Sequence, residues 1–359
     1  MKHRLRRLLE HAESREGDWD DRADAWWRVA ELASDTGEVS LALEASLRAI
    51  DAFRRADQPN SVLNSLNLAQ SIALAPSAQS LLKVYRLAAL LDLGSLMEAE
   101  SEAEELLDAV SESEIRPMAL DTVAGIYHAT GRLQALEELL EEMAQAEGPL
   151  AYGGVFRRAQ LAALQGDEAA AEAGFSDCIE GLQNHPGSEG AVGAASTELG
   201  RLYAVLGRHQ DALSAYDRGV EAWEASARRA GQYLTEAHRV LSVVALGGDY
   251  VPSALDLPIA FCVDRGLMLI EGQLRLARGI CRHKAGREGS REDLSQAVLL
   301  PLEQGARLQA GRARLAAANL SGQLEAELAR AHRELQWDSL AQRRIESLLQ
   351  GTSAFEDSK

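Results

Sequence analysis

The chain has 359 residues, of which 5% are aromatic, and it holds only three cysteines and four lysines. Runs of Val, Ile, Thr and Tyr alternating at period two are almost absent, which argues against a sheet-based core. Cys178, Cys262 and Cys281 are odd in number and far apart, and no C-x-x-C pair occurs. Neither a disulfide framework nor a zinc site is indicated, and the three read as small core residues of a reducing compartment. No apolar run is long enough to span a bilayer, and the N-terminus has no apolar leader segment. A cytoplasmic protein without membrane contact is expected. Phosphate loops of the G-x-x-x-x-G-K-S/T kind, H-E-x-x-H, EF-hand loops and G-x-S-x-G elbows are also missing. The eight histidines are scattered. No catalytic residue, metal site or cofactor is therefore expected, and the chain does not read as an enzyme.

Basic residues are the minority sign, 37 against 55 acidic, for a net charge of −18. That balance excludes general nucleic-acid binding, which needs an excess of phosphate-neutralising Lys and Arg. The charge is uneven: Met1–Asp264 carries −21, whereas Arg265–Gln350 carries +4. On an elongated body such a polarity would favour end-to-end contacts, a self-association that weakens as salt rises.

Alanine and leucine dominate the 46% of hydrophobic residues, a mix that favours helices packed through small side chains. One stretch, Ala194–Glu224, shows how. Counting Gly193 as position 1, Leu199 falls at 7, Gly200 at 8, Tyr203 at 11, Gly207 at 15, Ala212 at 20, Tyr216 at 24 and Gly219 at 27. Two helices fit this spacing, broken at Gly207–Arg208. Small residues at 8, 20 and 27 admit close approach, and the large ones at 7, 11 and 24 fill the gaps. This pattern resembles the tetratricopeptide repeat (TPR), a helix–turn–helix unit of about 34 residues.

Looser copies begin near residues 23, 80, 117 and 152. The first carries Trp26, Val29, Ala30, Gly37, Ala42 and Ala49; the second Gly94, Ala99 and Ala103; the third Val123, Ala124, Tyr127 and Gly131; the fourth Ala159, Gly166, Ala171 and Phe175. The resemblance implies an all-α, right-handed TPR superhelical solenoid with a divergent helical C-terminal part. The expected organisation is a capping helix in 1–22, the solenoid in 23–230, divergent helical repeats in 231–350 and a disordered tail in 351–359. Helices are expected at about Gln232–Leu246, Ala260–Ala285, Arg291–Leu300, Gln304–Asn319, Ser321–Gln336 and Asp338–Gln350. Gly279, Gly286 and Ala297 hint at one further unit.

The repeat implies a scaffold that binds a protein or peptide partner and does no chemistry. Positions 5, 9 and 12 of each first helix share one face, and stacking would line those faces into a concave groove. The candidate groove residues are Trp27, Glu31, Val84, Asp121, His128, Phe156, Gln160, Thr197 and Arg201. Too few of them are basic for the carboxylate clamp of chaperone-adaptor TPR proteins, and the mixed surface suits an amphipathic helix or extended apolar segment. Two alternatives stand beside the adaptor: a peptide- or ligand-sensing regulatory protein, or a regulatory subunit of a bacterial enzyme such as a caspase-like protease. The register itself is testable. Gly200→Leu should overpack the helix pair and cost about 1–3 kcal/mol in a thermal melt, whereas Asp217→Leu on the outer face should be near neutral.

Overall fold

Helices follow one another as the small-residue spacing requires, and among the described residues every regular element is helical. The structure, a computed structural model, describes residues 2–14, 19–72, 75–111, 114–145, 151–318, 330–336, 338–339, 341–343 and 345. In chain order the helices are α1 (Lys2–Ser14), α2 (Trp19–Asp35), α3 (Val39–Arg55), α4 (Pro59–Ile72), α5 (Pro76–Leu93), α6 (Leu96–Ala109), α7 (Arg116–Thr130), α8 (Leu133–Met143) and α9 (Ala151–Gln165). They continue with α10 (Glu168–Leu182), α11 (Glu189–Val205), α12 (His209–Ala225), α13 (Arg229–Ala245), α14 (Asp256–Arg265), α15 (Met268–Lys284), α16 (Ser290–Glu303) and α17 (Arg307–Ala317). Each packs mainly on its neighbours in sequence, giving an all-α, TPR-like superhelical solenoid. The helices expected at Ser321–Gln336 and Asp338–Gln350 fall largely, and the tail 351–359 wholly, outside the described residues.

The turn at Gly207 shows what ends each helix. Gly207 takes φ +76°, and the Arg208 amide donates back to Tyr203 O at 2.8 Å. This left-handed residue closes the last turn and reverses the chain. The same turn recurs at residues 37, 94, 131 and 166, and at 57 and 227, where Asp57 and Ala227 adopt it without being glycine. From 207 onward the left-handed residues that close a helix or turn stand at 207, 227, 247, 266, 286 and 305, that is 19 or 20 apart, and a further one, Gly289, precedes α16. A 17-residue helix such as α11 or α12, joined to the next by a short turn, accounts for that interval. The single helix expected over Ala260–Ala285 is in fact two, α14 and α15, split at Gly266 with φ +69°.

Close approach is set by the small residues. A methyl group at Gly200 would lie inside the contact distance of the Tyr216 ring, which is itself buried. Gly193 on α11 and Gly231 on α13 do the same for Trp223, whose ring fills the space between them. Asp217, on the outer side of α12, accepts from Arg239 Nε at 2.9 Å. That pair is largely exposed, so its loss adds less than about 1 kcal/mol. At the chain's start α1 packs on α2 and buries Leu5.

The solenoid turns tightly enough to meet itself, and the rear half lies along the turn edges of the front half. The Asp57 carboxylate, 2% exposed, accepts from Arg228 Nε at 2.6 Å and from the Ala230 amide at 2.8 Å. It thereby caps α13 from 173 residues away. Arg265 reaches Asp20 at 3.1 and 3.2 Å and the Ala56 carbonyl at 2.6 Å. Leu269 covers Gly94, and Met97 lies beside Gly305. Farther along, Arg343 meets Glu168 at 3.0 Å, and Leu308 and Leu335 join Leu164 in one apolar cluster. Opposite charges of the acidic front and basic rear thus meet within one chain. Asp57→Asn, which keeps the left-handed turn but removes the charge, should cost about 2 kcal/mol in urea unfolding. The exposed bridge removed by Arg343→Ala should cost less than about 1 kcal/mol.

Candidate functional site

Closure of the solenoid brings the inner faces of α7, α9, α11, α13 and α17 together. Arg157 on α9 ties two of these helices, donating to Asp121 Oδ1 on α7 at 3.2 Å and to Gln160 Oε1 at 3.1 Å. Thr197 on α11 and Thr235 on α13 share a 2.7 Å hydroxyl–hydroxyl hydrogen bond, and Trp223 Nε1 donates to Thr197 Oγ1 at 3.3 Å. Arg201, one turn beyond Thr197, donates to Glu198 at 2.6 Å. Arg312 on α17 donates twice to Asp338 Oδ2, at 3.0 and 2.8 Å. The side chains of Arg201, Glu198 and Arg312 keep 24%, 21% and 30% of their surface open. Both arginines are nonetheless surrounded by protein.

The electrostatics of this interior are set by the arginines. Burial, reinforced by Arg157, Arg312 and Arg201, holds His128 well below the usual histidine range. Burial, Arg201 and Arg312 do the same to His238, which stacks on Tyr216 with centroids 6.2 Å apart. Burial and then Arg201 lower Arg312 itself, against the pull of Asp338. Three arginines, each paired with a carboxylate, thus stand beside two neutral histidines in this interior.

The nine candidate groove residues divide. Asp121, His128, Gln160 and Arg201 converge on this interior. Thr197 is buried in the α11–α13 contact. Phe156 stands edge-on to Phe175 at 5.8 Å, with the Arg157 guanidinium over its ring. Val84 is 2% exposed and belongs to the core around α5, α6 and α7. Trp27 packs on the apolar cluster of α2–α5, and Glu31 is exposed on α2. Arg157, Arg312 and His238 were not among the candidates. Thr235 carried a signal, since the Gly-x-x-x-Thr of Gly193–Thr197 recurs at Gly231–Thr235. Arg312 carried none, because it reaches the interior only through closure.

A cavity lies elsewhere, at the seam. It measures about 390 Å³ and is lined by Trp19, Asp20, Asp57, Trp223, Arg229 and Phe261, among others. Cys178 and Cys262 are buried, and burial pushes both thiols up to about 12. Among the described residues no group of three or more His, Cys, Asp or Glu could hold a metal ion, and no helix is long and apolar enough to cross a membrane.

A pH dependence follows from the two histidines. Below about pH 6.5 the unfolded chain takes up protons at His128 and His238 while the folded chain does not. Stability should therefore fall on acidification from about pH 7 to about pH 5.5, and His128→Gln should flatten part of that slope. Urea midpoints at the two pH values check it.

No known family profile matches the chain, and no curated protein is significantly similar in sequence. Solved structures do match. A Rap protein complexed with competence and sporulation factor aligns over 83% of this chain and 80% of its own, at 14% identity and a TM-score of 0.53. Yeast Tom70 aligns over 94% of this chain and 74% of its own at 14% identity, with a TM-score of 0.35. The TPR domain of P58(IPK) aligns over 99% of both chains at 13% identity, with a TM-score of 0.24. The likeness to the Rap protein is one of fold: the chain is built as an all-α, TPR-like superhelical solenoid.

Proposed function

We propose that this chain is a cytoplasmic, non-enzymatic protein that binds a peptide or protein segment inside its superhelix and acts as a peptide-sensing regulator. One observation carries this reading. The inner faces of α7, α9 and α11 are enclosed by the rear half of the same chain, yet Arg201 and Glu198 keep open surface there. An open groove would suit a long helix laid along it, as an adaptor requires. An enclosed one suits a short extended segment, and its occupancy is coupled to how the seam closes.

Affinity capture followed by mass spectrometry, with Phe156→Ala and Glu180→Ala as variants, tests it. Phe156 is partly buried against Phe175 and lies under the Arg157 guanidinium, and an aromatic anchor truncated at a binding surface commonly costs about 2 kcal/mol. Capture should drop about tenfold or more in Phe156→Ala while its circular dichroism is unchanged. Glu180 is exposed on the outer face, and its replacement should leave capture intact. A partner held equally by both variants would place binding on the outside of the solenoid and contradict the reading.

A further inference from the structure

The cavity at the seam is lined by none of the nine candidate groove residues, and its walls come from both halves of the chain. Trp19, Asp20 and Asp57 belong to the front; Trp223, Glu224, Arg229 and Phe261 belong to the rear. Its volume of about 390 Å³ lies in the lower part of the range of small-molecule pockets, about 300–1,000 Å³. Backbone geometry marks the same place. Among the described residues only Asp57 and Ala227 take a left-handed φ, +54° and +58°, without being glycine, and both line the cavity. Glycine adopts this conformation without steric cost. Other residues held in it concentrate at ligand clamps and active sites.

The charges on the walls decide what the cavity would take. Guanidiniums already lie over two of its rings: Arg22 and Arg55 over Trp19 at 4.8 and 4.7 Å, and Arg265 over Phe261 at 4.7 Å. A ligand that is only a cation meets like charge there. Asp20 and Asp57 are spent on Arg265 and Arg228, and a ligand that is only an anion would have to lie beside them. Two charged groups on the walls keep spare capacity. The Arg229 guanidinium makes no hydrogen bond among the described residues. Glu224 accepts from Gln232 alone, at 3.0 Å, through one of its two oxygens. One donor fork and one acceptor of opposite sign therefore border a cavity that Ala56, Ala227 and the rings make largely apolar.

We propose that the seam cavity binds a small zwitterion with an apolar body, of the free amino-acid class, its carboxylate on Arg229 and its ammonium on Glu224. Trp223, Phe261 and the two alanines cover the body. A forked guanidinium matches a carboxylate, and both contacts are charge-assisted. Such a ligand touches front and rear at once, so it binds the closed solenoid and stabilises it by mass action. This site is separate from the proposed peptide-binding interior, and either can fail without the other.

Thermal melts of the full chain test it, with millimolar L-leucine, L-phenylalanine and L-tryptophan, the N-acetyl and amide forms of each, and glycine. The variants are Arg229→Gln, Glu224→Gln and, away from the cavity, Glu221→Gln. All three residues are exposed, so no variant should melt appreciably lower than wild type without ligand. At least one of the three free amino acids should raise the melting temperature of wild type and of Glu221→Gln. Its acetylated and amidated forms each lack one charge, and glycine lacks the body, so each should raise it less. Calorimetric titration should show a loss of about tenfold or more in affinity in both Arg229→Gln and Glu224→Gln. No shift in wild type with any of the three would overturn the proposal. An equal shift with the acetylated and amidated forms would overturn the zwitterion class. Undiminished affinity in both cavity variants would place the ligand elsewhere and overturn the site.

Discussion

The buried carboxylate of Asp57 holds the front of this solenoid to its rear. Its oxygens complete the first turn of α13 and neutralise Arg228, so a helix in the rear half is finished by a residue from the front. Burial holds the Asp57 carboxyl above its ordinary range, against the pull of Arg228 and the Ala230 amide. Arg265, spanning to Asp20 and the Ala56 carbonyl, fastens the same edge a second time. Without these contacts the inner faces of α7, α9 and α11 would line an open groove. With them, the same faces become an interior.

That difference decides which chemistry the molecule can offer. Outer faces carry the excess acid as solvated charge and surface pairs of small individual worth. Enclosed arginines act in a medium where charge is screened far less. The inner arginines are each held by a carboxylate, so this interior is lined by paired charges. Burial first, and the neighbouring arginines second, keep two histidines neutral there and lower Arg312.

Much of the architecture was legible because it depends on local spacing. Gly200 beneath Tyr216 and the left-handed turn at Gly207 follow from a pattern read within one repeat. Less was legible after residue 230, where the one helix expected over Ala260–Ala285 is split at Gly266. Asp57 and Ala227 hid two such turns, since neither is the residue a left-handed turn announces. The interior was legible only in part. His128 and Arg201 follow from helical periodicity, but Arg312 and the cap from Asp57 are long-range contacts with no trace in local spacing. Val84 shows the converse: it holds a groove position by count and is buried in the core.

Amide hydrogen exchange at Ala230 tests the closed seam most directly. The second amide of a helix has no acceptor within its own helix, so protection there reports the carboxylate of Asp57 and nothing local. Gln210, the equivalent amide of α12, has no side-chain cap at its helix start and serves as the internal reference. The closed solenoid predicts that Ala230 exchanges at least about a hundredfold more slowly than Gln210, as a buried, bonded amide does. Equal, rapid exchange at both would mean that the front and rear are apart in solution and that the inner face is an open groove.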